Sequence, residues 1–489
     1  MKRFEDIIAD VEAIEIHNPH NPEITALEYD SRRIETGACF FAVTGTASDG
    51  HSYIASAIER GAVAIVCQQL PAERNDNVSY IVVKDSNVAM AAMAAAYYDH
   101  PSRELHLVGV TGTNGKTTTA TLLYDMFTAL GYRAGLISTV IYRIGEESIH
   151  STHTTPDAIR LNAMMRRMVD AGCDYCFMEV SSHAAAQHRI AGLHFEGALF
   201  SNLTHDHLDY HGTYKEYIRA KKSFFDNLSA EAWAVTNIDD RNGEVMIQNC
   251  KARTFSLSLR SMADYRCKVI EMLPDGMLLN IDGVETWVKF SGKFNAYNLT
   301  TVYAATRLLG VDKMEALTTL SQLRPVSGRF ETIVADDGTM AIVDYAHTPD
   351  ALENVLETIE ELRRDKERLF VVCGCGGDRD RTKRPEMAAI AAKYATTAIF
   401  TSDNPRTENP EAILDDMIAG VKDRNNYLRI SDRREAIRTA AMMAQKGDII
   451  LIAGKGHEDY QIIGTEKHHF DDREQICEAF ATTHSSTRN

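Results

Sequence analysis

The sequence predicts an α/β protein with three domains and a mostly parallel central sheet. Three observations support this prediction. The chain has 489 residues, and domains of about 150 residues would divide it into roughly three. Apolar runs of strand length alternate with helical segments over most of that length, as in parallel α/β sheets. Near residue 110, one such run leads through a turn rich in Gly and Thr directly into a helix.

Composition and charge argue against several broad classes of protein. The net charge is −17, whereas a nucleic-acid-binding protein usually carries a basic face, so we expect no nucleic-acid partner. No apolar run reaches the ~18 residues of a membrane-spanning helix, and the N-terminal segment lacks the apolar core of a secretory signal. The nine cysteines include one CxxC pair, Cys173 and Cys176, without a second pair at zinc-ribbon spacing. We therefore expect reduced thiols, a cytoplasmic location and no membrane insertion.

The first predicted domain covers residues 1–101. Strand-like runs lie at 39–43, 63–66 and 80–83, and an alanine-rich helix is predicted around 89–98. The sequence His100-Pro101-Ser102 then interrupts the helical pattern, because proline disfavours a helical conformation in the residue before it. The boundary of the first domain is predicted at this interruption.

The second predicted domain covers residues 102–325. An apolar run at 105–110 is followed by the Gly/Thr turn and by a helix at 119–130. Further apolar runs at 175–180 and 233–236 are typical of buried parallel strands. The stretch 264–290 alternates in polarity around two Asp-Gly pairs, which predicts an antiparallel patch with hairpin turns.

The third predicted domain covers residues 326–489 and has a Rossmann-like arrangement. Strands are predicted at 340–343, 369–373, 398–401 and 449–453, with helices between them that include 349–364 and 385–394. Several polar motifs follow directly after these strands. Open parallel sheets bind ligands at the carboxyl ends of their strands, so these motifs are candidates for a binding site.

The strongest functional signal is the segment Gly112–Thr118, with the sequence GTNGKTT. Gly112 and Gly115 allow a tight turn whose N–H groups face phosphate oxygens, and the N-terminus of the next helix adds positive charge. Lys116 is expected to reach the β- and γ-phosphates, and Thr117 to offer its hydroxyl to Mg²⁺. Val110 stands where the usual motif has its first glycine. This phosphate-loop (P-loop) segment alone leaves ATPases, GTPases, kinases and ligases open.

Two further segments carry candidate metal ligands. Glu179 ends an apolar run in the sequence MEVSSH, where a carboxylate downstream of a phosphate loop is suited to hold Mg²⁺, and helix capping is the alternative. The segment 202–212 holds three histidines and two aspartates, yet no HExxH pattern or cysteine partner supports zinc. One histidine assisting the Mg²⁺ and phosphate site is favoured. The adjacent Lys221 and Lys222 would by default face solvent.

Together these motifs resemble the Mur ligase family of peptidoglycan synthesis. The resemblance spans almost the whole chain in family order and rests on Gly112–Thr118, Met178–His183, Asn202–Gly212, Ala220-Lys221, Asn295 with Asn298, Gly328–Glu331 and Asp344–Pro349. It implies a phosphate-loop-type central sheet and an ATP-dependent carboxylate–amine ligase that forms ADP and phosphate. Near the N-terminus, Asp30-Ser31-Arg32 and the segment 45–50 also fit the family.

The third domain resembles the branch of the family that adds the third amino acid of the peptide. Its motifs are GCGGDRDRTKRP at 374–385, DNPR at 403–406 and GKGHE at 454–458. DNPR is associated with meso-2,6-diaminopimelate, whose distal carboxylate Arg406 could grip bidentately, and lysine lacks that carboxylate. The diaminopimelate-binding set implied by the resemblance is Arg379, Asp403, Asn404, Pro405, Arg406, Gly454 and Glu458.

The resemblance implies roles for the remaining candidate residues. The ATP-binding set is Gly112, Thr113, Asn114, Gly115, Lys116, Thr117, Thr118, Asn295, Arg329, Asp344 and His347. The set that binds the UDP-linked substrate is Ser31, Thr46, Ala47, Ser48, Thr154, Thr155, Ser181, Gln187 and Arg189. The Mg²⁺ ligands are Thr117, Glu179, His207 and Lys221, and the catalytic residues are Lys116, Glu179, His207 and Lys221. Lys221 would carry a carbamate derived from CO₂, because carbamate oxygens suit a hard cation that a free ammonium would repel.

The implied reaction adds meso-diaminopimelate to the D-Glu carboxylate of UDP-N-acetylmuramoyl-L-Ala-D-Glu through an acyl phosphate. Domain closure is expected to exclude water from this intermediate. A basic run, Arg379, Arg381, Lys383 and Arg384, is expected to concentrate positive charge in this acidic protein, which we expect to be a monomer. The alternatives are a lysine-adding ligase or a folylpolyglutamate synthase of the same superfamily, a P-loop ATPase or regulatory nucleotide-binding protein, and a catalytically silent binding module.

Overall fold

The computed structural model describes residues 1–45, 48–151, 153–204, 208–364 and 366–485. Two compact units are distinguished. The first consists of Met1–Gly112, Thr119–Ser201 and Lys215–Ser256, and the second of Thr113–Thr118, Asn202–Tyr214 and Leu257–Asn489. These units do not test the predicted domain boundaries, which stay a prediction. Among the described residues, no helix combines the length and the apolar character needed to cross a membrane.

The first half of the chain forms fifteen strands and nine α-helices within the described residues. The strands are β1 (Lys2–Arg3), β2 (Ala13–His17), β3 (Glu23–Ile24), β4 (Ala26–Glu28), β5 (Ala38–Phe41), β6 (Ala64–Cys67), β7 (Ser79–Val83), β8 (His106–Thr111), β9 (Ala134–Ile137), β10 (Ile141–Ile144), β11 (Glu147–His150), β12 (Tyr175–Glu179), β13 (Gly197–Phe200), β14 (Trp233–Asn237) and β15 (Arg253–Ser258). The helices are α1 (Phe4–Ile8), α2 (Ile54–Glu59), α3 (Ser86–Tyr97), α4 (Lys116–Ala129), α5 (Ala158–Asp170), α6 (Ser182–Ala186), α7 (Leu208–His211), α8 (Tyr214–Asp226) and α9 (Gly243–Ile247).

The N-terminal sheet has the order β2-β7-β6-β5-β4, in which β4 to β7 are parallel and β2 is antiparallel. All three predicted strands of this region are confirmed. The alanine-rich helix α3 begins three residues before its predicted start, because the Asp85 side chain accepts hydrogen bonds from the first-turn N–H groups of Asn87 and Val88. His100 adopts a left-handed conformation just before Pro101, which ends the helical region as predicted.

The second sheet of the first unit places the strand before the phosphate loop at its centre. β8 lies between the parallel neighbours β12 and β13, with β9 beyond β12 and β14 beyond β13. Strand β13, four residues that start at Gly197, was not predicted from the sequence. Gly109 in β8 is required by packing, because a Cβ atom there would lie 2.6 Å from the Phe224 ring. Because β12 and β13 are both parallel to β8, the carboxyl ends of these three strands lie at the same edge of the sheet.

The rest of the described chain forms eleven strands and seven α-helices. The strands are β16 (Tyr265–Leu273), β17 (Gly276–Ile281), β18 (Val284–Val288), β19 (Glu331–Val334), β20 (Met340–Asp344), β21 (Leu369–Cys373), β22 (Thr397–Phe400), β23 (Tyr427–Arg429), β24 (Ile449–Ala453), β25 (Tyr460–Ile463) and β26 (Glu466–His469). The helices are α10 (Lys293–Leu308), α11 (Lys313–Gln322), α12 (Pro349–Leu362), α13 (Lys383–Tyr394), α14 (Pro410–Ile418), α15 (Arg433–Met443) and α16 (Asp472–Ser485). β16, β17 and β18 form the predicted antiparallel patch, with turns at both Asp-Gly pairs.

The C-terminal sheet has the order β19-β20-β24-β21-β22-β23 and is parallel except for β19. Helices cover both faces, so the strands are buried on both sides: Leu451 of β24 packs with α12, α13 and α14, while the adjacent Ile450 and Ile452 pack with α15 and α16. The polar segments after β20, β21, β22 and β24 lie at the same edge. The predicted α/β class is confirmed.

Candidate active site

The phosphate loop follows directly after β8, which ends at Thr111. Helix α4 begins at Lys116, three residues before its predicted start, so Lys116, Thr117 and Thr118 form its first turn. This arrangement aims the first N–H groups of a fourteen-residue helix at the loop. Gly115 has φ +86°, and a Cβ atom there would lie 2.5 Å from Oδ1 of Asn298. Glycine at position 115 therefore satisfies both a left-handed backbone and a close approach.

Within the second unit, the loop is braced by backbone and side-chain hydrogen bonds. The N–H of Thr113 donates to the carbonyl of Asn202 at 2.8 Å, and the N–H of Asn114 donates to Oδ1 of Asn202 at 2.9 Å. Nζ of Lys116 folds back to the Thr113 carbonyl at 2.7 Å. Val110, at the position of the missing glycine, is a fully buried strand residue, so the turn begins only at Gly112.

Glu179 ends β12 and pairs in register with Val110 of β8. Its side chain is fully buried, and its two carboxylate oxygens accept hydrogen bonds from the backbone N–H and the hydroxyl of Thr139, at 2.7 and 3.1 Å. Thr139 was not predicted as a site residue. It could have been found from its position two residues after β9, a parallel strand that ends at the same edge as β12.

Five of the residues predicted to bind the UDP-linked substrate lie around Glu179. The hydroxyl of Thr155 donates to the Glu179 carbonyl at 2.8 Å and also receives the Ser181 N–H. Thr154 lies 3.1 Å from Thr139, oxygen to oxygen. Arg189 donates to the Thr155 carbonyl at 2.7 Å and to Oε1 of Gln187. The structure thus brings Thr154, Thr155, Ser181, Gln187 and Arg189 into one polar cluster.

The other residues predicted to bind the UDP-linked substrate belong to the N-terminal part of the chain. Ser31 is buried at the start of a 3₁₀ helix, Ser31–Arg33, and Ser48 accepts the Gly45 N–H through its carbonyl at 3.0 Å. The described contacts of these two serines do not include the cluster around Glu179. Thr46 and Ala47 lie outside the described residues.

Lys221 and Lys222 of α8 have opposite environments. Lys221 is 1% exposed, and its Nζ donates to the Gly112 carbonyl at 2.6 Å and lies 5.0 Å from the Tyr217 ring centre. Lys222 instead pairs with Asp226 one helical turn away, at 2.5 Å. The inward lysine is therefore the one at the carboxyl end of β8, beside the loop.

The oxygen chemistry of these groups fits Mg²⁺, although no cluster of three or more His, Cys, Asp or Glu side chains forms a metal site in the described part of the chain. Glu179 has carboxylate oxygens and Thr117 a hydroxyl, both ligands that a hard cation accepts. Lys221 would add oxygens only as a carbamate. His207, the fourth predicted ligand, lies outside the described residues.

Residues predicted to bind the nucleotide meet the loop within the second unit. Nη2 of Arg329 donates to the Thr117 hydroxyl at 3.2 Å, and its guanidinium stacks 4.5 Å from the Tyr345 ring centre. Asn298, absent from the predicted set, packs on Gly115 and donates to Asn295 at 3.3 Å. It could have been predicted as a site residue from the family motif that it shares with Asn295.

Asp344 and His347 follow β20 and differ in burial. Asp344 accepts the N–H groups of Phe330 and Ala346 at 2.7 and 2.8 Å. Burial raises the pKa of Asp344, and the positive charge of Arg329 partly opposes that rise. His347 is exposed, with Nδ1 2.8 Å from the Tyr345 carbonyl. The hydrogen bond from the Phe330 N–H therefore ties Asp344 to the segment that carries Arg329.

The predicted amino-acid site gathers at the edge formed by β21, β22 and β24. Asn404 is buried and donates to Oε2 of Glu458 at 2.8 Å, while its own Oδ1 receives the Ile462 N–H at 2.9 Å. Gly454 has φ +120°, and a Cβ atom there would lie 2.5 Å from Oδ2 of the buried Asp403. Asp403, Asn404, Gly454 and Glu458 therefore form one contiguous, mostly buried polar cluster.

Arg406 follows Pro405 and is held in a left-handed conformation with φ +51°. Its N–H donates to the Ile462 carbonyl at 3.1 Å, and its carbonyl receives the Gly464 N–H at 2.8 Å. The β25–β26 hairpin thereby stabilises a backbone conformation that is unfavourable for arginine. Nη1 donates to the Gly377 carbonyl at 2.7 Å, and a Cβ atom on Gly376 would lie 2.9 Å from Nη1 and 3.7 Å from Cγ of Arg379. The two predicted arginines flank Gly376.

Two of the four residues in the expected cluster of positive charge, Arg381 and Arg384, form ion pairs, which corrects that part of the prediction. Arg384 is 1% exposed and forms ion pairs with Glu408 and Asp416, at 2.8 and 2.9 Å. Arg381 also pairs with Asp416. These arginines join the start of α13 to α14, because Asp416 belongs to α14 and Glu408 lies two residues before its first residue.

Comparison with known proteins gives consistent matches along the chain. Residues 23–102 match the Mur ligase family catalytic domain, residues 110–306 the Mur ligase middle domain, and residues 328–456 the glutamate ligase domain of Mur ligases. A protein of Parabacteroides distasonis named UDP-N-acetylmuramoyl-L-alanyl-D-glutamate--2,6-diaminopimelate ligase is 54% identical over 482 residues, covering 98% of this chain and 99% of that protein.

A second relative and a solved structure are similar to the chain over nearly its whole length. A protein of Bacteroides fragilis with the same name is 51% identical over 483 residues, which is 98% of this chain and all of that protein (100%). A solved structure with that name superposes with a TM-score of 0.70 at 33% identity and covers 99% of both chains. This similarity confirms the predicted three-domain α/β fold.

Proposed function

The chain belongs to the Mur ligase family, and we propose that it adds meso-2,6-diaminopimelate to UDP-N-acetylmuramoyl-L-Ala-D-Glu at the expense of ATP. The observation that carries this proposal is the conformation of Arg406. Its left-handed backbone is held by the β25–β26 hairpin on the edge that bears Asn404 and Glu458. A fixed guanidinium on the same edge as a carboxylate suits a substrate with both a distal carboxylate and an ammonium group.

The nucleotide would be bound through its phosphates at Gly112–Thr118. Backbone N–H groups and the positive end of α4 face the loop, and Lys116 is long enough to swing from the Thr113 carbonyl towards a γ-phosphate. Asn295, Arg329, Asp344 and His347 are proposed to contact the rest of ATP.

We also propose that the predicted boundaries, 1–101, 102–325 and 326–489, delimit the UDP-substrate, ATP and amino-acid domains.

Thr117, Glu179, His207 and a carbamylated Lys221 are proposed to hold Mg²⁺. Mg²⁺ bound there would neutralise charge on the transferring phosphoryl group. The burial of Lys221 supports this role, because its Nζ lies 2.6 Å from the Gly112 carbonyl, at the first residue of the phosphate loop.

The proposed reaction has two steps. The D-Glu carboxylate, oriented by the cluster around Thr155 and Arg189, attacks the γ-phosphate of ATP and forms an acyl phosphate and ADP. The amine of diaminopimelate then attacks the acyl carbon, loses a proton, and expels phosphate. Lys116 and Arg329 would stabilise the developing negative charge. Exclusion of water protects the acyl phosphate from hydrolysis.

The test is ADP formation by the purified protein with ATP, Mg²⁺ and UDP-N-acetylmuramoyl-L-Ala-D-Glu, supplied with meso-diaminopimelate or with L-lysine. We expect turnover with diaminopimelate, a product of the corresponding mass, and little turnover with lysine. Arg406→Lys should lower kcat/KM for diaminopimelate by about 10- to 100-fold, the range that hydrogen bonds to charged groups provide. Arg438→Lys is the control, because Arg438 is exposed and pairs with Glu435 on α15.

The alternatives predict different results. Turnover with lysine alone would identify a lysine-adding ligase and would refute the role of Arg406. ATP hydrolysis without any amino-acid acceptor would favour a P-loop ATPase, and absence of both activities in folded protein that binds ATP would favour a silent binding module.

A further inference from the structure

A lysine with no assigned role is completely buried in the candidate amino-acid site. Lys455 follows β24 directly after Gly454 and is 0% exposed. Its Nζ lies 3.3 Å from Oδ1 of Asn404 and 3.5 Å from Oε2 of Glu458. An ammonium group withdrawn from water is costly unless it is paired, so its partners indicate why it is there. Both partners belong to the predicted diaminopimelate-binding set.

Two carboxylates lie close to Lys455. Asp403 and Glu458 are two largely buried carboxylates at this site, with side chains close to Gly454 and Asn404 respectively. The nearby Arg433 is paired with Asp472, and the Arg406 guanidinium donates to the Gly377 carbonyl. Lys455 and Arg406 bring two positive charges to these two carboxylates. An incoming group that carries both a carboxylate and an ammonium would keep the charges of these four side chains balanced.

The hydrogen bonds also distinguish the two oxygens of Glu458. Oε2 accepts hydrogen bonds from the side chains of Asn404 and Lys455, whereas none of the described hydrogen bonds involves Oε1. Burial and the charge of Asp403 raise the pKa of Glu458, and Lys455 and Asn404 oppose that rise. The lysine thus favours the ionised carboxylate and leaves one oxygen available.

We propose that Lys455 is a positioning residue that sets the amino-acid specificity of this site, by orienting Asn404 and Glu458 so that Glu458 faces the ammonium group of the incoming diamino acid. The proposal rests on the proposed function. It differs from a space-filling role, which an apolar side chain of similar length would serve equally well.

The test is Lys455→Met, which keeps the length of the side chain and removes its charge. We expect KM for meso-diaminopimelate to rise about tenfold or more, with KM for ATP and for the UDP-linked substrate unchanged. Formation of the acyl phosphate does not require diaminopimelate and can be measured separately. With the UDP-linked substrate alone, an oxygen isotope placed in the β,γ-bridge of ATP exchanges its position each time the step reverses. The rate of this exchange should be the same in Lys455→Met and in the wild-type protein. Lys467→Met is the control, because Lys467 is exposed yet stacks 3.9 Å from the centre of Tyr460, the ring that Lys455 also approaches.

A pH profile separates positioning from packing. Asp403, Lys455, Tyr345 and Tyr460 are the titratable groups that interact with Glu458. Without Lys455 the pKa of Glu458 should rise further, so the acid limb of kcat/KM for diaminopimelate should move to higher pH in Lys455→Met. The same shift should be absent in Lys467→Met.

A double-mutant cycle with Glu458→Gln gives the second, independent measurement. If Lys455 acts through Glu458, the double variant should bind diaminopimelate no worse than Glu458→Gln alone. Lys455→Gln replaces Lys455→Met in every assay if the latter does not fold. A wild-type KM for diaminopimelate, an unmoved acid limb, or fully additive effects would overturn the proposal. Failure of the wild-type protein to use any diamino acid would instead refute the proposed function.

Discussion

The side-chain amide of Asn114 in the phosphate loop donates a 2.7 Å hydrogen bond to Oδ2 of Asp350, in the first turn of α12. The hydroxyl of Thr204 donates to the same oxygen at 3.0 Å. One carboxylate therefore connects the loop, the segment after β13 and a helix of the C-terminal sheet. Neither Asp350 nor Thr204 was a predicted site residue.

We expect Asp350→Ala to raise KM for ATP by about tenfold, because a hydrogen bond to a charged group is worth about 1.5–3 kcal/mol and its loss frees Asn114. Steady-state kinetics with varied ATP would measure this. Glu353→Gln is the control on the same helix, since Glu353 is only partly buried and pairs with Lys393. Equal ATP parameters in both variants would show that the Asp350 contact does not position the loop.

Lys221→Ala should abolish ligase activity, and millimolar bicarbonate should not restore it, because alanine cannot form a carbamate. Lys222→Ala should retain activity, since Lys222 pairs with Asp226 of its own helix and not with Gly112. Carbon NMR of wild-type protein in labelled bicarbonate should show a carbamate signal that Lys221→Ala lacks. Full activity of Lys221→Ala would refute the carbamate.

Gly454→Ala should lower kcat/KM for diaminopimelate strongly, because the new methyl group would lie 2.5 Å from Oδ2 of Asp403. Gly338→Ala provides the comparison: Gly338 also has a positive φ, +91°, but its nearest atom would be 4.0 Å away. Backbone strain of about 1–3 kcal/mol is common to both variants. Similar activities in the two would mean that the Asp403 contact is unimportant for the site.

Asp472→Asn should destabilise the protein by about 3–5 kcal/mol, because it leaves the Arg433 charge buried without its partner. Both side chains are 0% exposed and 2.7 Å apart, and Arg433 also donates to the Ala453 carbonyl at the end of β24. Urea unfolding would measure the change. Glu435→Gln, which disrupts the exposed pair with Arg438, should leave the midpoint unchanged. A small effect of Asp472→Asn would contradict the assignment of this pair to the core.

Stability should fall as the pH is lowered, in part because of His457. Burial lowers the pKa of His457 to about 3, whereas an unfolded histidine titrates near 6.5. Between these values the unfolded chain binds the additional proton, so acid favours unfolding and the free energy of unfolding rises with pH. His457→Gln should reduce that slope between pH 5 and 6.5 by at most about 1.4 kcal/mol per pH unit. Identical slopes in the two proteins would exclude the contribution.

Local patterns in the sequence were sufficient for most elements and for the phosphate loop. Strands β8, β12, β20, β21 and β24 were predicted from short apolar runs, because strands buried on both faces are apolar throughout. The loop was predictable because a strand, a glycine turn and a helix start are encoded within about fifteen residues. Strand β13 was missed because four residues beginning with glycine carry little signal.

Other features depend on residues far apart in the chain. The adjacent Lys221 and Lys222 were distinguished by the family motif, whereas only the packing of α8 shows that Lys221 turns inward to Gly112, 109 positions away. The same holds for Asn114 with Asp350, 236 positions apart, and for Lys455 with Asn404. Sequence periodicity and turn chemistry report on neighbours within a few residues, so they specify the elements and their motifs. Which side chains meet follows from the parallel strand order that brings distant carboxyl ends to one edge.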